Sequence, residues 1–260
     1  MMRALYSAAT GMNAQQLALD VTANNLANVQ TSGFKKSRAN FEDLIYQNLR
    51  RAGAESAAGT QVPVGIQVGL GVRPTAVQKM FLQGDFIQTG NDLDWAIEGR
   101  GFFQIVSNDV EYYTRAGDFK LDSEGFVVTS NGDRLQPELA VPAGTVSLSI
   151  DSSGLLTAKD QAGATLGSVQ ITLHDFINPA GLESVGRNLF RVTDASGDPV
   201  EAIPGTEGVG TIAQRFLELS NVDVVEETVN LITLQRAFEI NSTSIQTADQ
   251  MLQVVTNLKG

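Results

Sequence analysis

The chain has 260 residues, a formal charge of −11, 42% hydrophobic side chains and no cysteine. That apolar content can bury a core, which excludes general disorder, and the missing thiols exclude disulfide frameworks, thiolate nucleophiles and cysteine metal sites. So acidic a chain is also a poor nucleic-acid binder, because affinity there comes mainly from neutralising phosphates.

The N-terminal stretch "MMRALYSAATGMNAQQ" carries one Arg, but Ser7, Thr10, Gly11 and Asn13 break its apolar run too early for a signal peptide. No apolar run approaches the roughly 18 residues of a membrane span. The expectation is a chain that stays in the cytoplasm or leaves by a route without a cleaved signal. Leu5, Met12, Leu19 and Leu26 fall seven apart with small companions, the period of a coiled-coil seam. Gly11 in that seam costs about 1 kcal/mol against Ala, so close packing is its expected reason.

Three asparagines, Asn24, Asn25 and Asn28, crowd the end of this helix although Asn is a poor helix former. Asn24 and Asn28 share a face, with Asn25 turned about 100° away. In a packed bundle such amides fix register at a cost in stability. Asn241, Gln246 and Gln250, or equivalent groups on a neighbouring subunit, are the expected partners. Gly33, followed by Phe34 and preceded by Val29, reads as a Schellman ending that closes a helical segment over 1–34.

Residues 35–90 read as an extended, β-rich linker with a long loop at 47–71, where Gly, Ala and small polar residues show no durable period. Residues 1–51 hold six basic and three acidic side chains, a local excess read as a solvated face. From 91 to 205, short β-rich runs such as "GFFQIV", "GTVSLSI" and "NLFRV" alternate with turns, the pattern of a small barrel or sandwich-like module. "DSEG" (Asp122–Gly125), "DSSG" (Asp151–Gly154) and "DASG" (Asp194–Gly197) suit type I turns. They lack the further carboxylates of a calcium loop.

Residues 206–219 read as a return linker, and 220–260 as a helix pairing with 1–34. Ser220 and Asp223 look like a capping box, with Leu219 and Val224 as its staple. The seam then runs Leu231, Leu234, Phe238, Asn241, Ile245, Ala248, Leu252 and Val255. The fold class is therefore α+β: paired terminal helices forming a coiled-coil-like domain, a central all-β module and an extended β-rich linker.

Catalytic material is thin. The sole histidine, His174, has no second His or Cys for a metal site or nucleophilic dyad. Asp92, Asp94 and Glu98 flank Trp95 as a strand with its turn, and the runs "GLG" and "EGRGFF" lack the strand–turn–helix context of nucleotide binding. No enzyme, cofactor or metal is expected.

"ANNLANVQTSGFKKSRANFED" (Ala23–Asp43) closely resembles the N-terminal signature of the flagellar axial proteins, the rod and hook family, and "SNVDVVEETVNLITLQRAFEINSTSIQTADQMLQ" (Ser220–Gln253) resembles its C-terminal signature. "QGDFIQTGNDLDWAIEGRGFFQI" and "YTRAGDFKLDSEGFVVTSNGDRL" look like the central part of rod members, so the resemblance covers almost the whole chain. It implies a structural subunit without a cofactor, many copies of which stack helically into a hollow rod crossing the periplasm. It also implies export through the flagellar type III apparatus, proximal rod and hook proteins at the rod's ends, and ring proteins around it. The hook protein is usually longer, so a rod member fits the length better. Two other classes remain as contrasts. A secreted β-rich binding module would need an aromatic platform, for which the chain offers Trp95, Tyr112 and Tyr113. A free coiled-coil chaperone would not need both ends to share one seam.

Overall fold

The computed structural model describes residues 2–53, 55–57, 60–61, 63–138 and 140–257. The chain forms two compact units, one from residues 1–26, 37–78 and 223–260 and the other from 27–36 and 79–222. The architecture is α+β, with helix α1 (Met2–Ala27) first, strands through the middle and helix α2 (Val224–Asn257) last.

In the first unit, α1 and α2 are about 39 and 51 Å long from their 26 and 34 residues. The strand Ser37–Asp43 pairs with Val72–Lys79. Tyr46–Arg50 pairs antiparallel with Ile66–Gly69, and Glu55–Ala57 with Thr60–Gln61. The stretch 47–71 therefore carries paired ribbon strands rather than a plain loop. Every residue of Tyr46–Arg50 is exposed, so no buried-and-exposed alternation marks that strand in the sequence.

Both ends of the helices differ from the sequence pattern. α1 stops at Ala27, and the chain continues through turns in which Thr31 N–H donates to Asn28 O at 3.1 Å and Phe34 N–H to Thr31 O at 3.2 Å. Gly33 is not a helix cap. Its N–H donates to Glu218 O at 2.8 Å, its φ is +70°, and a Cβ there would lie 2.5 Å from Ala116 N. Left-handed backbone and close approach both require glycine at that point. At the other helix the cap is Asp223, not Ser220: its Oδ1 accepts the N–H groups of Val225 at 2.7 Å and Glu226 at 3.1 Å. A carboxylate accepts both orphan donors and suits the positive end of the helix dipole. The Ser220 hydroxyl is buried and has no hydrogen-bond partner among the described residues.

The second unit is β-rich. Its largest sheet has seven strands, ordered Lys120–Leu121, Val127–Val128, Arg134–Gln136, Phe103–Ser107, Val110–Thr114, Leu189–Arg191, Glu183–Gly186. A three-stranded meander runs Ser147–Ile150, Leu155–Lys159, Thr165–Gln170. Trp95–Glu98 pairs with Thr211–Gln214, and Phe86–Gln88 with Phe216–Glu218. The supposed return linker at 206–219 thus supplies two strands, with Ile212 buried in the core. Of the three Asp-to-Gly turns, two close as expected, Gly125 N–H to Asp122 O at 2.9 Å and Gly154 N–H to Asp151 O at 2.8 Å. The third closes one residue earlier, Ser196 N–H to Thr193 O at 3.0 Å.

Adjacent side chains on a strand point to opposite sides, and the pair Phe102–Phe103 uses this. Phe103 joins a core with Trp95, Ile97, Phe119, Leu156 and Leu173. Phe102 joins a second cluster with Tyr113, Phe176, Leu182 and Phe190. His174 is buried beside the latter, its ring 5.4 Å from that of Tyr113, and its backbone bridges Phe102 through bonds of 2.8 and 2.9 Å. Burial holds its imidazole below the usual pKa. Tyr113, desolvated and near Glu111, is pushed up to about 12.

Candidate assembly surfaces

The terminal helices carry the residues that the sequence singles out. On α1, Leu5, Met12, Leu19 and Leu26 are half-buried, and Ala14 is buried between them. On α2, Leu231, Leu234, Asn241, Ile245 and Leu252 are half-buried and Ala248 is buried, whereas Phe238 is 37% exposed. The Val255 side chain lies outside the described residues.

Contacts at Gly11 and Asn25 relate these helices. A Cβ at Gly11 would meet Asn241 Nδ2 at 3.2 Å, so the missing side chain lets that amide approach α1. Asn25 Nδ2 donates to Glu227 Oε2 at 3.3 Å. Going back from Asn25 to Gly11 and forward from Glu227 to Asn241 covers the same stretch of helix, so the contacts belong to one antiparallel register. Asn241 consequently sits opposite Gly11, about 20 Å along α1 from Asn24, and Gln246 and Gln250 lie farther still. The expected partnership of Asn24 and Asn28 with these three residues of the same chain is therefore excluded by register.

The three asparagines have different surroundings. Asn25 is 1% exposed and clasps the backbone of Ser37, accepting from its N–H and donating to its C=O, both at 2.8 Å. Asn28 is half-buried and its Oδ1 accepts from the Thr31 hydroxyl at 3.3 Å. Asn24 is exposed.

A second stripe on α2 faces outward. Val225, Val229, Ile232 and Ile240 are 71, 57, 55 and 65% exposed, with Met251 and Val254 continuing the apolar surface. Single exposed apolar residues need no explanation, but a row of them along one helix marks an interaction surface. The ribbon adds Ile45, Leu49, Val64 and Ile66, all exposed, next to Arg50 and Arg51.

Among the described residues, no cluster of three or more His, Asp or Glu is placed to hold a metal ion, and no helix is long and apolar enough to cross a membrane. Asp92, which with Asp94 and Glu98 flanks Trp95, pairs with Arg215 at 2.7 Å and accepts the Trp95 indole N–H on its carbonyl at 2.9 Å. Trp95 and Tyr113 are 0 and 1% exposed, which removes them from any aromatic platform.

Two long terminal helices in contact with each other, one of them with an exposed apolar stripe, define a structural assembly protein. Family models agree on which one. Residues 5–35 match the flagella basal body rod protein model, 96–158 the flagellar hook protein FlgE/F/G D1 domain and 213–258 the flagellar basal body rod FlgEFG protein C-terminal model. The chain is similar to the flagellar basal-body rod protein FlgG of Borreliella burgdorferi, at 48% identity over 100% of this chain and 99% of the relative. FlgG of Buchnera aphidicola from Schizaphis graminum is 45% identical over 99% of this chain and 100% of its own. The flagellar hook-basal body complex protein FlhP of Bacillus subtilis is 30% identical, over 100% of both. The chain belongs to the flagellar basal-body rod protein family, and within it to the FlgG group. It is a structural protein of the distal rod and not an enzyme.

Proposed function

We propose that copies of this chain assemble helically into a hollow periplasmic shaft that transmits torque from motor to hook and encloses the export channel. The observation that carries this reading is the outward apolar stripe of α2, which lies apart from the residues α2 turns toward α1. One stripe serves the helix pair within a chain and the other serves neighbours. Burial of that stripe offsets the cost of ordering long helices, which are marginal without packing.

The shared antiparallel register supports coiled-coil-like pairing of α1 and α2. It sets Leu5, Met12 and Leu19 opposite, within a residue, Ala248, Asn241 and Leu234. Leu26, Leu231, Phe238, Ile245 and Leu252 complete the packing surface, and Asn24 and Asn28 address a neighbouring subunit. Residues 47–71 form a brace between subunits. The chain meets proximal rod and hook proteins at the ends of the shaft and ring proteins around it, binds no nucleic acid, and reaches the periplasm by flagellar export without a cleaved signal.

Electron microscopy of the purified full chain at rising concentration tests the proposal. Tubes or rods are expected, and their loss on Val229→Asp with Ile232→Asp is expected too. Monomers at every concentration, or tubes unaffected by those changes, would exclude assembly through this stripe.

A further inference from the structure

Three fully buried charged side chains meet in the β-rich unit. Lys35 Nζ lies 2.6 Å from Glu218 Oε1 and donates to Leu82 O at 2.7 Å. The Arg115 guanidinium approaches Glu218 Oε2 at 3.4 Å and donates to Gly99 O at 2.6 Å. The same carboxylate accepts the N–H of Gly84 at 3.0 Å.

Two cations therefore share one carboxylate out of contact with water. Excess buried charge is costly, and burial holds the Lys35 ammonium below its usual pKa. Neutralising Glu218 does not require Lys35, because Arg115 already does so. What Lys35 alone contributes is attachment. It sits on residues 27–36, a segment cut off in sequence from the rest of its unit by residues 37–78.

That segment is stitched down at separate points. Asn188 Nδ2 donates to Ser32 O at 2.9 Å, and Gly33 N–H donates to Glu218 O at 2.8 Å. Lys36 N–H donates to Asn221 Oδ1 at 2.7 Å. Only Phe34 and the Lys35 stem bring large side chains into the interior.

We propose that residues 27–36 are a strap on the β-rich unit and that Lys35 is its latch. The strap opens and closes as a local unit while Arg115 and Glu218 stay paired and both aromatic clusters stay packed. The two partners of the salt bridge are therefore unequal. Losing the ammonium frees the strap, whereas losing the carboxylate leaves two cations facing each other in the interior.

Amide hydrogen exchange on the full-length chain tests this. Lys35→Met is expected to speed exchange at Gly33 and Phe34 by on the order of 100-fold, the effect of breaking a buried pair. Ile97, Phe103 and Ile105, in the core strands, keep their original rates. Glu218→Gln is expected to speed both groups. Unchanged rates at Gly33 and Phe34 in Lys35→Met, or equal acceleration at Ile97, Phe103 and Ile105, would overturn the latch.

A second measurement needs no variant. Acylation of the Lys35 amine in the unaltered chain, with exposed Lys120 and Lys159 as references, is expected to depend only weakly on low urea. A urea dependence as steep as that of global unfolding would also overturn the proposal.

Discussion

Asn25 pairs with the backbone of Ser37 as a neighbouring strand would, taking its N–H and giving to its C=O at 2.8 Å each. The side chain is almost fully buried. Asn25→Leu removes both hydrogen bonds, at a cost of about 0.5–1.5 kcal/mol each. Asn24→Leu and Asn28→Leu leave that clasp in place. The expected outcome is faster amide exchange at Ser37 in Asn25→Leu alone, and altered rod symmetry without loss of the folded monomer in the other two. Unchanged symmetry in Asn24→Leu with Asn28→Leu would exclude their part in register.

The start of α2 separates two overlapping patterns. Asp223→Ala removes two hydrogen bonds to Val225 and Glu226 and is expected to cost about 1 kcal/mol. Ser220→Ala removes a buried hydroxyl without a partner among the described residues and is expected to be neutral or slightly stabilising. Urea denaturation followed by helical circular dichroism gives both values. A larger loss in Ser220→Ala would return the cap to the earlier residue.

These positions show what the sequence makes legible. Seven-residue spacing reveals the helix Met2–Ala27 because a helix repeats its face at that period. Alternation reveals Phe103–Ser107 in the same way. Asn25 is visible as an anomaly, but its partner is a backbone, and every residue type offers the same backbone. Ser220 and Asp223 both begin a plausible cap, and only geometry chooses between them. Lys35, Arg115 and Glu218 are far apart in the chain, and a meeting of distant charges leaves no period to detect. The strands at Thr211–Gln214 and Phe216–Glu218 are short enough to pass for a linker until their partners are known.

His174 gives a pH dependence with a definite sign. Burial, opposed by Glu201 and Glu111, lowers its folded pKa below the 6.5 of the unfolded chain. Below 6.5 the unfolded chain therefore takes up a proton that the folded chain resists, so this contribution to stability is full above 6.5 and falls as the pH drops toward the folded pKa. His174→Phe is expected to flatten that part of the profile. Urea midpoints at neutral and mildly acidic pH, compared between the two chains, measure it. An equal decline in both would place the acid sensitivity elsewhere.

The ribbon offers the test of the brace. Tyr46 and Gly69 are cross-strand partners, so residues 47–68 can be replaced by a two-residue Asn-Gly turn without moving the flanking strands. Gly71, whose N-terminal neighbours lead into that pair, keeps its close approach to Thr10, and Leu44 N–H keeps its bond to Gly71 O at 2.8 Å. The shortened chain should fold and be secreted, because both helices and the β-rich unit are intact. What it loses is the exposed row that includes Leu49, Val64 and Ile66 beside Arg50 and Arg51. Rods built from it are expected to bend more easily or to curve, as seen by electron microscopy of isolated basal bodies. Rods of unchanged stiffness and curvature would exclude the ribbon as a brace between subunits.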